Sequence, residues 1–441
     1  MDTEEIKKNK VGFILQFALP SSVAMILTCV LTVTDGFFTG NFVGEEALAA
    51  VNLGLPILYV YLATGLCIGV GGSVICGRLL GQKNVHKVNQ VFTQTIVLTM
   101  AVCLALSVIV WFLFEPILHI LKAEGNLAVY FRQYYFVMLF DFPLLVLSTV
   151  LSMFIRADGK PQICMMVSIL TCVLNILLDY IFMAKLDMGV QGSAIASLLV
   201  CIVSALLQVL YFVKSTEKDG IKFAFFKFDK DVNKETLLNG SSEFIGEAAS
   251  AVSMFAFNFV LMKYVGTEGV AAFTILGFSV YAFSMIVLGF GQGLMPLVSI
   301  CAGAKEFKTA VQLRQITDRI LFALGLAFAL ALFFFGLQYA KMFGAGGHVA
   351  LMVAGGFRIF AVTFVVTGYN VIASMFFTSL GKAKESALVS ALRGIVLLLA
   401  FTFVFPYFWG MNGIWLVTPA TEVLTFAVSI ALIRKFSRSA L

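Results

Sequence analysis

Apolar stretches of about twenty residues or more recur twelve times along this chain, which leaves it few folds. A bilayer core demands roughly 20 apolar residues per crossing helix, and we read spans at 13–38, 47–76, 89–114, 130–154, 162–184, 189–213, 240–264, 270–300, 317–340, 351–378, 386–408 and 411–433. The runs do not alternate apolar with polar residues as barrel strands do. Only 12% of the 441 residues are charged, half the usual share of a soluble domain, so the chain lacks the means to cover a water-facing surface. The expected fold is all-α and polytopic. The charged segment Met1–Lys10, followed by an overlong apolar run, points to a first helix acting as its own insertion signal, not to a cleavable leader.

Charge placement tests the count of spans. With the N-terminus inside, the inner segments carry 24 of the 30 Lys and Arg residues, among them Lys7, Lys83, Lys160, Lys227, Lys305, Lys382 and Arg434. The outer side carries Lys122, Arg132, Lys185, Lys263, Lys341 and Arg358. That bias follows the positive-inside rule. An even number of helices with both termini cytoplasmic, in the cell (plasma or inner) membrane, fits it.

The chain also repeats itself. Gly44–Ala50 matches Gly266–Ala272, and at the same offset of 222 Gly69, Gly71, Gly81 and Lys83 match Gly291, Gly293, Gly303 and Lys305. Met153, Phe154, Gly159 and Lys160 match Met375, Phe376, Gly381 and Lys382, while Gly192 pairs with Gly413 one residue out of step. Each half holds six spans, so both enter from the same side and are related by a pseudo-two-fold axis along the membrane normal. The expected organisation is a six-helix lobe over 1–213, a cytoplasmic linker over 214–236, and a second six-helix lobe over 237–441. The linker's Lys222–Phe228 portion, mixing Phe with Lys, is either a solvated loop or a segment lying on the membrane surface.

Six carboxylates fall in or near spans: Asp35, Asp141, Asp179, Glu243, Glu247 and Glu422. An ionised acid at mid-bilayer costs about 2.5–3.5 kcal/mol even on a lenient scale. No Lys or Arg sits at the centre of a span, and Arg358 and Arg393 lie near enough to span ends to snorkel. The acids must therefore be protonated, wet, or paired with a cation from outside. On the first span Ser21, Thr28, Thr32, Asp35 and Thr39 form one polar stripe. Asn175 and Asp179 stand i, i+4 on the fifth, and Ser193, Ser197, Ser204 and Gln208 share a face of the sixth. Converging, these stripes make an oxygen-rich pocket suited to a proton or a hard cation. Asn239, Glu243, Glu247, Ser250 and Asn258 line the seventh, a candidate substrate or second cation site. For the hydroxyl residues alone, interhelical hydrogen bonding is the plainer reading. Pro20 lies fifteen residues before Asp35 and supplies a kink, either static or a hinge. Phe255, Phe259, Phe278 and Phe283 are candidates to line a cleft. The eight cysteines stand singly and read as small core residues.

With these residues in place the sequence resembles the multidrug and toxic compound extrusion (MATE) family over nearly its whole length. Pro20 and Asp35 are similar to the kink proline and essential acid of that family's DinF branch. Asn175, Asp179 and Ser197 resemble its N-lobe cation site, with Ser197 where a Thr is often found. The resemblance implies export of cationic, amphipathic compounds in exchange for protons or sodium by alternating access, with Na⁺ or H⁺ at Asp35, Asn175, Asp179 and Ser197. It implies no cofactor, no nucleic-acid partner and a monomer. The NorM branch adds an Asp on helix 10; here helix 10 offers only Tyr369 and Asn370, which shifts weight to the N-lobe.

Two rivals remain. A lipid-linked oligosaccharide flippase of the same superfamily would want a cationic cavity for its diphosphate head, and the intramembrane charge here is acidic. A membrane-embedded prenyl- or acyltransferase would want Asp-rich metal motifs or a His/Asp pair, and His86, His119 and His348 have no such partners in the sequence. The expectation is thus a transporter and not an enzyme. An epitope inserted after Asp187 should be detected on intact cells, and one at either terminus only after permeabilisation; detection of a terminal tag on intact cells would contradict the topology.

Overall fold

The computed structural model describes residues 3–121, 123–214, 220–264 and 266–440, excluding the side chains of 251, 254, 255, 258, 439 and 440. It is helical throughout, with no strand among the described residues. Twelve long helices account for it. They are α1 Lys10–Phe38, α2 Leu55–Gly81, α3 Val85–Phe112, α4 Gly125–Ala157, α5 Pro161–Asp179, α6 Gly189–Lys214, α7 Lys230–Tyr264, α8 Thr267–Gly303, α9 Phe307–Met342, α10 Gly347–Ser379, α11 (383–409) and α12 (411–440). Ten helical runs are long and apolar enough to cross a bilayer. One of them, Ala383–Arg438, is two helices, α11 and α12, joined at Gly410, whose φ of 52° breaks the run. The twelfth, α7, is 35 residues long; its charged first turns and the polar residues Asn239, Glu243 and Glu247 dilute its hydropathy.

The chain forms two compact units, Val23–Gly240 and Asp2–Ser22 with Ser241–Leu441. These differ from the expected divisions at 213 and 237 in a systematic way. The N-terminal turns of α1 belong with the second unit, and the linker with the first turns of α7 belongs with the first. The cause is close backbone approach. In the second unit a Cβ on Gly293 would fall 2.7 Å from the Ala18 backbone and one on Gly289 2.3 Å from Ser22 Cα. In the first unit a Cβ on Gly71 would lie 1.9 Å from the Thr236 carbonyl oxygen, and one on Gly240 1.7 Å from that of Cys67. Small residues let membrane helices pack backbone to backbone. At the near end of α1, Lys7 Nζ bridges Glu4 and Glu306 at 2.8 Å each, and these carboxylates hold its ammonium well above the usual lysine range.

The internal repeat is visible as recurring contacts. Gly69 faces Met153 Sδ, and 222 residues on Gly291 faces Met375 Sδ. Cys164 donates to the Ser152 carbonyl at 3.3 Å, and Ser386 to the Ser374 carbonyl at 2.9 Å. Gln208 donates to Ser148, and its counterpart Ser429 donates to Asn370, with the slip of one residue already present at Gly192 and Gly413. Left-handed backbone recurs at Gly44 and Gly266, Lys83 and Lys305, and Gly159 and Gly381. The matched glycines of these pairs thus mark turns where a side chain is strained.

Each unit has an aromatic core. Phe92 packs on Phe212 and Phe154 in the first, at centroid distances of 4.5 and 4.9 Å. In the second, Phe283 is buried against Phe328 and Phe364, so Phe283 is a core residue and does not line a cleft. Phe259 and Phe278 are exposed, Phe278 stacking on Phe343, and the Phe255 side chain lies outside the described residues.

Gly71→Val should destabilise the protein by about 1–3 kcal/mol, the usual cost of overpacking, while Gly277→Ala, with open space around it, should leave the melting temperature unchanged. Equal melting temperatures for both variants would contradict the close approach.

Candidate functional site: a carboxyl pocket in the first unit

Asp35 lies in the last turn of α1, and Asp179 is the last residue of α5. Each helix then widens into a π-helical turn, Thr39–Val43 after α1 and Tyr180–Lys185 after α5, and the two turns pack against each other. Such turns break the regular backbone ladder and gather at functional sites. Here they bring the Asp35 and Asp179 carboxyl groups close enough to interact directly. Asp179 is fully buried and Asn175, one turn earlier on the same face, is 3% exposed. Asp141 of α4 is also buried, and Cys201 of α6 lies close enough to interact with its carboxyl group. Ser197, one turn before Cys201, is half-buried.

Five oxygens in this pocket are buried without a donor among the described residues: Asp35 Oδ1, Asp141 Oδ1, Asn175 Oδ1 and both oxygens of Asp179. No Lys or Arg forms an ion pair with these acids among the described residues. Two touching carboxylates would repel by roughly 4 kcal/mol at about 4 Å and an effective dielectric near 20. A shared proton or a small cation removes that repulsion and supplies the missing partners.

Two other residues belong to this environment. Tyr134, one helical face along α4 from Asp141, feels the charges of Asp35, Asp141 and Asp179. Cys201 interacts with Asp141 instead of serving as an inert core residue. The spacing Tyr134–Asp141 (i, i+7) and Ser197–Cys201 (i, i+4) was the available signal for both.

The expected stripes resolve into distinct roles. Thr28 and Thr32 turn back onto the carbonyls of Ala24 and Thr28 at 3.1 Å, a local bond that uses their hydroxyls within α1. Ser204 and Gln208 bond to Ser148 and Ser152 of α4, which is interhelical cement. Pro20 stands within α1, two residues before the helix passes from the second unit into the first.

In the second unit two of the acids, Glu422 and Asp318, have arginine partners. Arg393 does not snorkel: its Nε reaches Glu422 Oε1 at 2.6 Å, and Asn370 Nδ2 donates to Glu422 Oε2 at 2.7 Å. Arg393 itself lies in the π-helical turn Leu392–Val396. A second pair, Arg314 and Asp318 at 2.7 Å, is buried on α9, with the Arg314 guanidinium 5.4 Å from the Tyr369 ring centre. Asp318 lies inside the expected ninth span, 317–340, but is not among the six acids singled out from the sequence, although its i, i+4 spacing to Arg314 is legible there. Asn370 and Tyr369, the polar candidates on α10, are thereby engaged in these clusters. Glu243 and Glu247 are half-buried one turn apart on α7 and form no ion pair among the described residues. The Asn258 side chain lies outside the described residues.

Two six-helix repeats crossing a membrane, with buried acids left uncompensated in one and neutralised by arginine in the other, define a polytopic membrane transporter. The MatE family model matches residues 20–181 and 244–408, one stretch in each half, and the chain belongs to that family. It is 23% identical over 418 residues to the multidrug export protein MepA of Staphylococcus saprophyticus, covering 94% of this chain and 90% of that protein. MepA of Staphylococcus aureus is 22% identical over 420 residues, covering 94% and 92%. Among solved structures, MATE in complex with MaL6 superposes with a TM-score of 0.92 at 21% identity, covering 97% of this chain and 96% of that one. An outward-facing multidrug resistance MATE family transporter of the MOP superfamily gives 0.90 at 22% over the same shares.

Arg393→Gln leaves the buried Glu422 without its cation and should cost about 3 kcal/mol of stability, read as a lowered melting temperature. Adding Glu422→Gln should recover much of that loss; a double variant no more stable than the single one would contradict the pairing.

Proposed function

We propose that this protein is a secondary active multidrug exporter, moving cationic amphipathic compounds outward by alternating access in exchange for a proton or a sodium ion. The observation that carries this reading is the Asp35–Asp179 carboxyl pair in the first unit, with Asp179 fully buried, Asp35 half-buried and no basic partner among the described residues. A pair that cannot hold two negative charges in contact is a site where one cation binds and leaves, which is what antiport requires. Asn175 and Ser197 flank it as neutral oxygen ligands, and Asp141, beside Cys201, adds a third carboxyl whose field deepens the attraction for cations. Glu243 and Glu247 on α7 attract the cationic substrate. Pro20 serves as the hinge through which the protonation or ion state of Asp35 acts on α1. The similarity to staphylococcal multidrug export proteins along nine-tenths of the chain supports the export of drugs. Placement in the cell membrane as a monomer, with both termini cytoplasmic, completes the reading, the termini following from the bias of 24 basic residues against six.

In proteoliposomes loaded with ethidium, an imposed pH or sodium gradient should drive efflux by wild type, and whichever gradient does so names the ion. Asp35→Asn and Asp179→Asn should each reduce gradient-driven efflux to the background of empty liposomes. Gradient-driven transport surviving both substitutions would move the exchange to Glu243 and Glu247. No transport of ethidium under either gradient would overturn the multidrug reading.

A further inference from the structure

Residues 220–229, which lead into α7, form a strap held on the first unit. Its backbone amides donate to side chains of α3 in sequence: Lys222 N to Asn89 Oδ1 at 2.9 Å, Ala224 N to Thr93 Oγ1 at 3.0 Å and Asp229 N to Gln94 Oε1 at 3.2 Å. Ile221 N is held by Asp158 at 2.9 Å. Ile221 is fully buried and Phe223 packs on Phe92 at 4.9 Å. Thr93 lies eight residues into α3, about 12 Å along the helix at 1.5 Å per residue. By the expected span 89–114, Thr93 lies four residues, about 6 Å, inside the apolar run, so the strap lies alongside the end of α3 where the span begins.

There it exposes aromatic rings. Phe225 is 95% exposed and Phe228 64%. Beside them a cavity of about 330 Å³ opens between the strap and one face of α3, lined by Lys87, Gln90, Gln94, Lys227, Phe228 and Lys230 among others. Lys87, Lys227 and Lys230 form no ion pair among the described residues. The one acid of the cavity, Asp229, is already used: its Oδ1 caps α7, accepting from Asp231 N at 2.9 Å and Val232 N at 3.4 Å. The cavity thus holds a net excess of positive charge next to exposed rings at the end of the span.

We propose that this cavity binds the headgroup phosphate of an anionic phospholipid from the leaflet on the side of the termini. Lys87, Lys227 and Lys230 contact the phosphate, and Phe225 and Phe228 sit among its acyl chains. Charge complementarity selects the anionic lipid, since a basic residue near an anionic surface contributes about 1 kcal/mol. The exposed rings beside the lysines, at the end of the span, select a lipid over a soluble anion.

The full-length protein, delipidated in detergent and titrated with phosphatidylglycerol or phosphatidylcholine, should retain phosphatidylglycerol preferentially by native mass spectrometry. Retention should weaken roughly five-fold for each lysine removed among Lys87→Gln, Lys227→Gln and Lys230→Gln, with phosphatidylcholine unaffected. Phe225→Ser should also lower phosphatidylglycerol retention with all lysines present. Melting temperatures of the lipid-free variants matching wild type would exclude misfolding, and Lys227→Gln, on the strap away from regular helix, serves alone where the triple variant melts early. Equal retention of both lipids, or retention unchanged by the lysine substitutions, would overturn the proposal. Displacement of phosphatidylglycerol by inorganic phosphate at equal concentration would overturn it too, making the cavity a site for a soluble anion.

Discussion

Two carboxyl groups cannot touch inside a membrane protein unless a proton or a cation shares the space with them. The contact between Asp35 and Asp179 therefore sets the condition that the rest of the first unit serves. Both helices widen into π turns within one turn of their acid, and these two turns pack against each other next to the pair. Asn175 presents an unpartnered oxygen from the same face, and Cys201 lies beside Asp141. Nothing among the described residues neutralises the group, so occupancy by a cation is left to exchange with the surroundings.

The second unit shows the alternative outcome of the same architecture. Its buried acids carry arginines at 2.6 and 2.7 Å, and these ion pairs are further tied to Asn370 and set beside Tyr369. A buried pair of this kind is a fixed structural element, since removing either partner strands a charge. The duplicated scaffold thus holds acids without a basic partner among the described residues in one half and arginine-paired acids in the other. The shared contacts at Gly69 and Gly291, and at Ser152 and Ser374, show that the two halves diverged in their charges while keeping their packing.

Much of this was legible in the sequence because bilayer physics restricts what a spanning helix can carry. Twelve apolar runs, the basic side and the offset of 222 gave the helices and the repeat. Asp35, Asn175 and Asp179 stood out because a buried acid without a cation is costly. What the sequence concealed are the contacts that need three dimensions. Arg393 looked able to reach the interface, and only the fold shows that Glu422 lies nearer. Gly71 and Gly240 gave no hint that the first turns of α7 pack within the first unit, because a glycine announces close approach without naming its partner. Cys201 and Tyr134 lacked any charge of their own and acquire meaning only beside Asp141.

The central claim is that the Asp35–Asp179 pair carries a single exchangeable cation. Difference infrared spectroscopy of the full-length protein in lipid, following the protonated-carboxyl stretch as pH is raised or sodium is added, tests it most directly. The account predicts loss of one protonated-carboxyl band that disappears from the difference spectrum in both Asp35→Asn and Asp179→Asn. A band unaffected by either substitution, or two bands lost independently one with each, would contradict it.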